Sequence, residues 1–501
     1  MDAVLQGLMS VMDVTVIAFI IIGVFIGIVF GSIPGLTATM AIVMFLPITY
    51  TMTPIQGIST LIALYIGGIS GGLITAILLN IPGTPSSIAT TFDGRPMALK
   101  GEAGKALGTG VVFSFCGTLL GLIALVLIAP ALASVAIKFG PFEYCTLAIF
   151  ALSLVITLTG KDLVKGLISG LIGIMLASVG LAPVDSVKRF TFGITDLNSG
   201  FALLTLLIGL FAITEVIGAA AEVRHPITME METNLKIRGF GFSIKEFFAQ
   251  KLNLFRSALI GIGIGILPGI GGAISGMISY TAAKNQSKYP EKFGTGIMDG
   301  VVASESANNA GIGGALIPML TLGIPGDAAT AMLMSGLMIH EVAPGPLILE
   351  KSAVVVYGIF AAIALSAVAM LFIELFGIRV FMRVLTIPKH YLMPVITVLC
   401  IVGAVGNGNR MFDVYSVLCF GIMGYLLLKV KVPHVPMILG FILGPIFELN
   451  FRRAVQHAQI DPYSVFQHPI AIGFLVVTII AIILSLRKQR KDAKLNQSEE
   501  E

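Results

Sequence analysis

The sequence predicts an all-α polytopic membrane protein, and three observations lead to that prediction. Of the 501 residues, 56% are hydrophobic and only 12% are charged, about half the charged fraction of a typical soluble domain. Apolar runs of about 20 residues recur along the chain, and each is long enough to cross ~30 Å of hydrocarbon. These runs do not alternate as the strands of a membrane barrel do. A soluble enzyme, a disordered chain and a nucleic-acid-binding protein are therefore excluded.

The apolar runs form two series, separated by a polar stretch. The first series lies near 14–31, 58–79, 106–132, 142–159, 163–182 and 199–221, and the second near 256–283, 297–322, 353–376, 391–406, 412–428, 433–450 and 470–486. We expect 11 or 12 full spans, with shorter pieces that follow Pro-Gly breaks and are broken or re-entrant. The predicted organisation is a first membrane repeat over 1–221, a cytoplasmic linker over 222–255, a second membrane repeat over 256–486 and a cytoplasmic tail over 487–501.

The linker carries a pattern typical of an amphipathic helix. Ser243 and Glu246 have the spacing of a capping box. Apolar residues then recur at helical intervals between basic ones, namely Phe247, Phe248, Leu252 and Phe255 with Lys245, Lys251 and Arg256. The pattern favours a helix lying on the cytoplasmic membrane surface, with an ordinary solvated loop as the alternative.

The charges at the two termini predict their sides of the membrane. A basic cluster at 487–491 follows the last apolar run, and such clusters stay in the cytoplasm. Residues 1–13 contain no Lys or Arg, so the basic region of a signal peptide is missing. We expect a retained first helix, a periplasmic N-terminus and a cytoplasmic C-terminus.

Paired Pro-Gly breaks indicate an internal repeat. The first break of each half contains Pro34 and Pro268, which are 234 residues apart. The second break contains Pro82 and Pro325, which are 243 residues apart. Two breaks in the same order at nearly the same offset predict a duplicated membrane domain.

The distribution of basic residues favours inverted over parallel repeats. Arg95, Lys100 and Lys105 follow the second break of the first half. The matching stretch of the second half has no Lys or Arg between Lys292 and Lys351. Because positive loops stay inside, the two loops are expected on opposite sides of the membrane.

Broken helices inside a membrane point to a binding site. Lipid cannot satisfy bare backbone groups, so a break survives only where it is buried in protein or lines a polar cavity. A helix that begins after the break points free N–H groups and a positive dipole end at that cavity, which suits an anion. Matched breaks in two halves are typical of a transporter's substrate site.

Hydroxyl, amide and glycine residues at the breaks are predicted to bind a carboxylate substrate. For a single Ser or Thr, helix packing is the alternative, and the clustering beside Pro-Gly favours binding. The predicted substrate-binding residues are Ser32, Gly35, Thr37, Asn80, Gly83, Thr84, Ser86, Ser87, Gly269, Gly271, Asn308, Asn309, Gly326 and Thr330.

Two acidic residues in apolar surroundings are predicted to bind the coupling cation, Na⁺ or a proton. They are Glu305 and Asp327, and a carboxylate at the bilayer centre costs roughly 2.5–3.5 kcal/mol on insertion scales. A structural hydrogen bond is the alternative for Glu305, and a helix cap for Asp327. Glu143, Glu215 and Glu374 are weaker candidates. No other cofactor or metal is expected.

Two competing classes stay open, an intramembrane enzyme and a channel. The sequence Gly68-Ile-Ser70-Gly71 matches the GxSG pattern of rhomboid-type proteases, but such chemistry needs a His base, and the six His residues lie at the edges of apolar runs. No GxxxxGK[ST] motif is present. The sequence therefore favours a transporter over an enzyme, and an ion gradient over ATP as its energy source.

Three motifs resemble those of the large membrane subunit of the tripartite tricarboxylate transporters, the TctA family. They are the stretch 79–104, which contains Asn80-Ile-Pro82-Gly83-Thr84-Pro-Ser86-Ser87, the sequence Glu305-Ser-Ala-Asn308-Asn309-Ala-Gly, and Leu320-Thr-Leu-Gly-Ile-Pro325-Gly. The resemblance covers about 15–460. Ser304 departs from it, because many relatives are expected to have Pro there.

This resemblance implies a permease of the bacterial inner membrane. Such proteins work with a small four-helix membrane subunit and a periplasmic solute-binding protein. Their substrates are citrate, other tri- and dicarboxylates, or aromatic acids. Import is secondary active transport, a symport with Na⁺ or H⁺.

Overall fold

The computed structural model describes residues 2–158, 163–222, 240–269, 271–384, 389–460 and 463–500. In this part of the chain, 21 α-helices account for most of the structure, and the two strands form one short hairpin. Seven helical stretches are long and apolar enough to cross a membrane, and six further apolar helices have 10–17 residues. The prediction of an all-α polytopic membrane protein is confirmed. The number of 11 or 12 full spans stays a prediction.

The helices of the first half alternate long apolar segments with short ones at the breaks. They are α1 (Asp2–Val11), α2 (Val14–Ser32), α3 (Ala38–Phe45), α4 (Pro54–Leu79), α5 (Ile88–Met97), α6 (Ala103–Ala136), α7 (Pro141–Leu158), α8 (Leu163–Ala177), α9 (Leu203–Leu207) and α10 (Thr214–Glu222). The hairpin strands are β1 (Gly180–Leu181) and β2 (Lys188–Arg189), with Gly180 opposite Arg189.

The second half has the same alternation. Its helices are α11 (Ile244–Ala249), α12 (Lys251–Gly265), α13 (Gly271–Gln286), α14 (Met298–Leu322), α15 (Ala328–Ile339), α16 (Ile348–Lys351), α17 (Ala353–Val384), α18 (Lys389–Gly408), α19 (Met411–Lys429), α20 (His434–Ile460) and α21 (Pro469–Glu500).

The chain forms two compact units. The first unit comprises Met1–Ser134 and Leu207–Tyr425, and the second comprises Val135–Leu206 and Leu426–Glu501. Each unit takes segments from both predicted repeats. The predicted domain boundaries at 221 and 256 separate the two membrane repeats from the linker, whereas the compact units divide the chain at other residues. The predicted boundaries therefore stay predictions.

In the second unit, α20 packs on α7 and α8, and α21 packs on α7. The β-hairpin is held to α20 by ion pairs. Arg189 lies 2.7 Å from Glu448, and Arg452 lies 3.0 Å from Asp185. These pairs hold β2 and the loop of the hairpin to one face of the helix.

In the first unit, α2 packs along α4, and α12 packs along α14. Both contacts are made by glycines that meet backbone carbonyls. The facing pairs are Gly27–Leu64, Gly31–Gly68, Gly261–Ala307 and Gly265–Gly311, and a Cβ on the first glycine of each pair would come within 2.1–2.5 Å of the facing oxygen. The pairs repeat at the offsets of the Pro-Gly breaks, so the two halves build the same close contact. The inverted orientation of the halves stays a prediction.

The linker contains the predicted capping box. The N–H of Glu246 donates to Ser243 Oγ, and the N–H of Ser243 donates to Glu246 Oε2 at 2.8 Å. The predicted amphipathic helix is divided at Gln250, because α11 ends at Ala249 and α12 begins at Lys251. Linker residues 223–239 lie outside the described part. A further helix, α1, was not predicted, and it packs on α17.

The tight glycine contacts predict a position-specific effect of an added methyl group. In α12, a Cβ at Gly265 would lie 2.5 Å from Gly311 O, whereas a Cβ at Gly263 meets nothing within 4 Å. We expect Gly265→Ala to destabilise the protein by roughly 1–3 kcal/mol, as overpacking does. Gly263→Ala is the matched control and should be neutral or slightly stabilising, because Ala favours a helix over Gly.

The measurement is the thermal unfolding midpoint in detergent, followed with a thiol-reactive fluorophore. The chain has no Trp, whereas Cys145 and Cys400 are buried and become reactive on unfolding. Equal midpoints for the two variants would contradict the packing argument.

The link between α11 and α6 predicts a pH-dependent contribution to stability. The Lys105 ammonium and the Ser243 N–H hold the pKa of Glu246 at about 2, below its usual 4.5. Because the folded-state pKa is depressed, the contribution is complete above pH 4.5 and is lost as the pH falls toward 2. At pH 7, we expect the free energy of unfolding of the wild type to exceed that of Glu246→Gln by at most about 1 kcal/mol, since the pair of Lys105 and Glu246 is partly exposed. The unfolding midpoints of the two proteins should converge as the pH falls from 7 to 3. A difference between these midpoints that widens on acidification would refute this account.

Candidate functional site

The second breaks of the two halves share one backbone geometry. α4 is followed by the cap residue Asn80 with φ of 57°, and α14 by the cap residue Gly323 with φ of 68°. In each break, the N–H of the cap residue and the N–H of the next residue donate to one carbonyl, that of Thr75 or that of Pro318. Asn80, predicted as a substrate ligand, is thus a helix cap with an exposed side chain.

Each second break ends in a residue that caps the next helix. Asp327 Oδ1 accepts from Thr330 N at 2.7 Å, and Asp327 N donates to Thr330 Oγ1 at 2.9 Å. At the matching position, Thr84 N donates to the hydroxyl of Ser87 at 3.3 Å. The capping alternative for Asp327 is therefore what the structure contains, and a coupling role stays a prediction.

Thr84 and the turn at Pro85–Ser87 together carry three hydroxyl residues in close contact. Thr84 Oγ1 and Ser86 Oγ lie 3.0 Å apart, and Ser87 Oγ donates to Thr84 O at 2.9 Å. All three residues are buried. Three hydroxyl groups are thereby concentrated at the start of a helix, as the carboxylate-binding hypothesis requires.

The first breaks lie beside the second ones. Gly269 N donates to Gly326 O at 2.7 Å, and a Cβ at Gly271 would lie 2.7 Å from the Asp327 Cβ. In the first half, a Cβ at Gly83 would come 2.1 Å from Gly31 O. Each half therefore brings its two breaks together, although Ile270 lies outside the described residues.

The remaining predicted residues of the first break have local roles. Thr37 Oγ1 caps α3 by accepting from Met40 N at 3.3 Å, and Ser32 Oγ donates to Val29 O at 2.9 Å. Gly35 has φ of 91°, a left-handed conformation that few residues other than Gly adopt. These residues shape the break, and their role in substrate binding stays a prediction.

Each second break packs against the long helix of the other half. The turn at Pro85–Ser87 and α5 lie on α13 and α14, while α15 lies on α3 and α4. A Cβ at Gly276 of α13 would lie 3.3 Å from Ser86 O. The predicted site residues of the two halves therefore lie in one region of the first unit.

Glu305 lies in a buried network of neutral donors. Its Oε1 accepts from the Thr90 hydroxyl. Its Oε2 accepts from Ser114 Oγ at 2.9 Å and from Asn309 Nδ2 at 3.4 Å. The side chain is fully buried and makes no ion pair with a described basic residue. The structural alternative for Glu305 is thus realised, and the same oxygens would suit a bound cation or proton.

Asn308 of α14 is buried, and its side-chain amide forms no hydrogen bond with the described residues. It is 1% exposed, and neither its Oδ1 nor its Nδ2 has a partner among the described residues. The Oδ1 of Asn309 and the Oγ of Ser306 share this property. A buried amide without hydrogen bonds costs about 1–3 kcal/mol per group, and such groups are rare in folded proteins.

A comparison of matching positions in the two halves shows why the Asn308 amide has no hydrogen-bond partner. Tyr65 of α4 corresponds to Asn308 at the offset of 243, and Asp327 corresponds to Thr84. Tyr65 OH of the first half donates to the cap residue Asp327 of the second half at 2.7 Å. At the corresponding positions, the Asn308 amide of the second half makes no hydrogen bond to the cap residue Thr84 of the first half. Of these two corresponding pairs, the one at the Thr84 break is therefore left without a hydrogen bond.

Sequence reasoning missed Asp93 as a structural anchor. Its Oδ1 accepts from the N–H groups of Gly294, Gly296 and Ile297 at 2.7–3.0 Å, and its Oδ2 accepts from Tyr280 OH at 2.8 Å. This carboxylate joins α5 to the loop before α14. The sequence signal for Asp93 was its position in the stretch 79–104. Its hydrogen-bond partners carried no such signal, because they lie about 200 residues away in the sequence.

Ser70 does not have the environment of a protease nucleophile. Its hydroxyl donates to Glu374 Oε2 at 2.9 Å, so its partner is a carboxyl group and not a His base. Glu143, another weak candidate, lies in the second unit and bonds His468 Nδ1 at 2.7 Å. Among the described residues, no group of three His, Cys, Asp or Glu could hold a metal ion.

Known proteins are similar to this chain over a range that includes all residues of the candidate site. A family model described as the tripartite tricarboxylate transporter TctA family matches residues 17–439. An uncharacterized 52.8 kDa protein in the TAR-I ttuC' 3' region of Agrobacterium vitis is 34% identical over 479 residues, which are 95% of this chain and 94% of the relative. An uncharacterized protein in the TAR-II ttuC' 3' region of the same organism is 35% identical over 223 residues, 44% of this chain and 92% of the relative. No solved structure matches.

The environment of Asp93 predicts a structural defect when its charge is removed. Asp93→Asn places an amide group among three backbone donors, and hydrogen bonds to a charged group contribute about 1.5–3 kcal/mol each. We expect Asp93→Asn to lower the unfolding midpoint in detergent by several degrees. Asp196→Asn, at an exposed position, is the control and should leave the midpoint unchanged. An unchanged midpoint for Asp93→Asn would show that the carboxylate does not anchor α5.

Proposed function

Because the chain belongs to the TctA family of the tripartite tricarboxylate transporters, we propose that it is the permease subunit of a binding-protein-dependent secondary transporter. In this proposal it imports tricarboxylates or related, citrate-like carboxylates, coupled to a Na⁺ or H⁺ gradient. It is a multi-pass membrane protein, and we place it in a bacterial inner membrane. Its proposed partners are a small four-helix membrane subunit and a periplasmic solute-binding protein that delivers the carboxylate.

The observation that supports this proposal best is that α14, which carries the unpaired Asn308 amide, packs on the turn at Pro85–Ser87. A carboxylate at this break would accept from Asn308 Nδ2 and from the Thr84 and Ser86 hydroxyls. Neutral donors suit an anion that must be released again, because they bind it without a buried opposite charge. Backbone N–H groups near Gly83 and Gly326 would supply further donors.

Glu305 and Asp327 are the proposed cation-coupling residues. The Glu305 carboxyl lies one turn before Asn309 on the same helix, and Asp327 caps α15 near Gly269 and Gly271. A Na⁺ ion or a proton bound there would offset part of the charge of the substrate. This offset lowers the cost of moving an anion through the membrane interior.

Transport requires that the site open to each side in turn. In repeat-built transporters, one part of the repeat moves as a body against the rest. We propose the same for the helices that carry the breaks, with the C-terminus in the cytoplasm and the N-terminus in the periplasm.

Uptake into proteoliposomes tests this function. Liposomes would hold the chain with its small subunit, and the cognate binding protein would be added outside with labelled citrate or dicarboxylates. Accumulation that follows an imposed Na⁺ or pH gradient and needs the binding protein is expected. Downhill flux without dependence on either gradient would instead favour a channel, and a complete lack of flux would refute the carboxylate assignment.

Site variants in the same assay form the mutational prediction. We expect Asn308→Ala and Asp327→Asn each to reduce gradient-driven uptake about tenfold or more, equivalent to about 1.4 kcal/mol. Asn450→Ala is the matched control, because Asn450 bonds Ile446 O on α20 in the other unit. Expression and unfolding midpoints should stay near wild type for all three. Wild-type uptake by both site variants would remove these residues from the mechanism.

A further inference from the structure

We propose that Glu374 of α17 binds and carries the coupling proton of this transporter. The inference rests on the proposed transport function and names a residue outside the two acids assigned to coupling above. It starts from the hydrogen bonding of this side chain. Glu374 is fully buried. Its Oε2 accepts from Ser70 Oγ at 2.9 Å, and its Oε1 has no partner among the described residues.

The helices packed on α17 provide no positive charge to balance an ionised carboxylate at Glu374, and the two basic residues of α17 itself, Arg379 and Arg383, are exposed. α17 packs on α1, α2 and α4, and these helices contain no Lys, Arg or His. Their titratable groups are Asp2 of α1 and Tyr65 of α4, and Tyr65 is bonded to Asp327. Glu350 and Lys351 of α16 lie at the other end of α17, 23 or more residues before Glu374 in the sequence. Across α4, Glu305 of α14 is the acid that interacts electrostatically with Glu374.

The count of donors distinguishes Glu374 from Glu305. Glu305 accepts from three neutral groups, those of Thr90, Ser114 and Asn309, whereas Glu374 accepts from one. An ionised carboxylate buried with a single hydroxyl donor bears a large desolvation cost. The neutral acid satisfies this environment better. Glu374 therefore holds a proton in this conformation.

The same environment selects a proton over a metal cation. Hard cations need several oxygen ligands, and Glu374 has one hydroxyl group as its neighbour. A proton needs only the carboxyl group itself. The step is a simple acid–base exchange, in which the carboxyl takes a proton from the aqueous phase outside and releases it to the phase inside. No redox partner is required.

A single turn of α4 connects this acid to the substrate break. Ser70 bonds Glu374, and two residues later Gly72 faces the break. A Cβ at Gly72 would lie 2.5 Å from Thr84 Oγ1 and 2.9 Å from Ser87 Oγ. The turn of α4 that carries Ser70 and Gly72 packs tightly against the break at Thr84. A change in the Ser70–Glu374 contact therefore alters the position of Thr84. Proton release and substrate release are linked by this contact.

The test compares two transport modes of the reconstituted complex. Glu374→Gln keeps the size of the side chain and an acceptor for Ser70, but it cannot give up a proton. We expect it to lose pH-gradient-driven citrate accumulation at least about tenfold, while exchange of internal for external citrate stays within about twofold of wild type. Glu350→Gln makes the same change at an exposed position and should leave both modes at the wild-type level. A merely structural role would reduce exchange and accumulation together.

Three outcomes would overturn the inference. They are pH-gradient-driven accumulation by Glu374→Gln equal to wild type, parallel loss of exchange and accumulation, and wild-type accumulation that follows a Na⁺ gradient alone. In the last case, the proposed transport function would stand. If wild type accumulates no carboxylate under any gradient, the function and the coupling role both fail.

A second measurement addresses the proton directly. Infrared difference spectra of wild type and Glu374→Gln at pH 7 should show the carbonyl stretch of a protonated carboxylic acid in the wild type only. Its absence would overturn the inference whether or not transport is observed.

Discussion

The constraint on which this structure depends is that broken backbone cannot face lipid. Each unsatisfied N–H or C=O in hydrocarbon costs several kcal/mol, and the chain interrupts its membrane helices at four Pro-Gly breaks. Two devices satisfy this constraint. Capping residues and left-handed ends satisfy local groups, as at Asn80 and Gly323. Glycines then let neighbouring backbones approach until no space is left for a Cβ, as at Gly31 and Gly265.

The same constraint concentrates the chemistry of the protein in one region. A break can be covered only by another protein element, and each second break is covered by the long helix of the other half. The two covering helices differ in character at matching positions. α4 presents Ile62, Tyr65 and Ile66 where α14 presents Glu305, Asn308 and Asn309. A backbone geometry that repeats in the two halves therefore carries different side chains. Among the described residues, the Asn308 amide has no partner at the position where Tyr65 donates to Asp327.

The local features of this fold could be predicted from sequence because they depend on neighbouring residues. Pro-Gly pairs fixed the positions of the breaks, and the pattern of Ser243 and Glu246 predicted a capping box. Long-range contacts carried no such signal. The partners Tyr65–Asp327, Ser114–Glu305 and Ser70–Glu374 are separated by 262, 191 and 304 residues. Hydropathy also does not show which apolar helices pack together, so the two compact units and the packing of α1 on α17 were not foreseen.

Four acids of the first unit show how the surroundings of a carboxyl group decide its role. Asp93 accepts from three backbone N–H groups, so its charge is held in place and it serves as an anchor. Asp327 is satisfied by its own helix start and by Tyr65. Glu305 has neutral side-chain donors that could exchange with a ligand. Glu374 has a single donor, and its charge is the least supported of the four. By residue type alone, these four acids look alike. The number and kind of their hydrogen-bond donors distinguish an acid that anchors the fold from one that binds a ligand, and an acid that binds a ligand from one that transfers a proton.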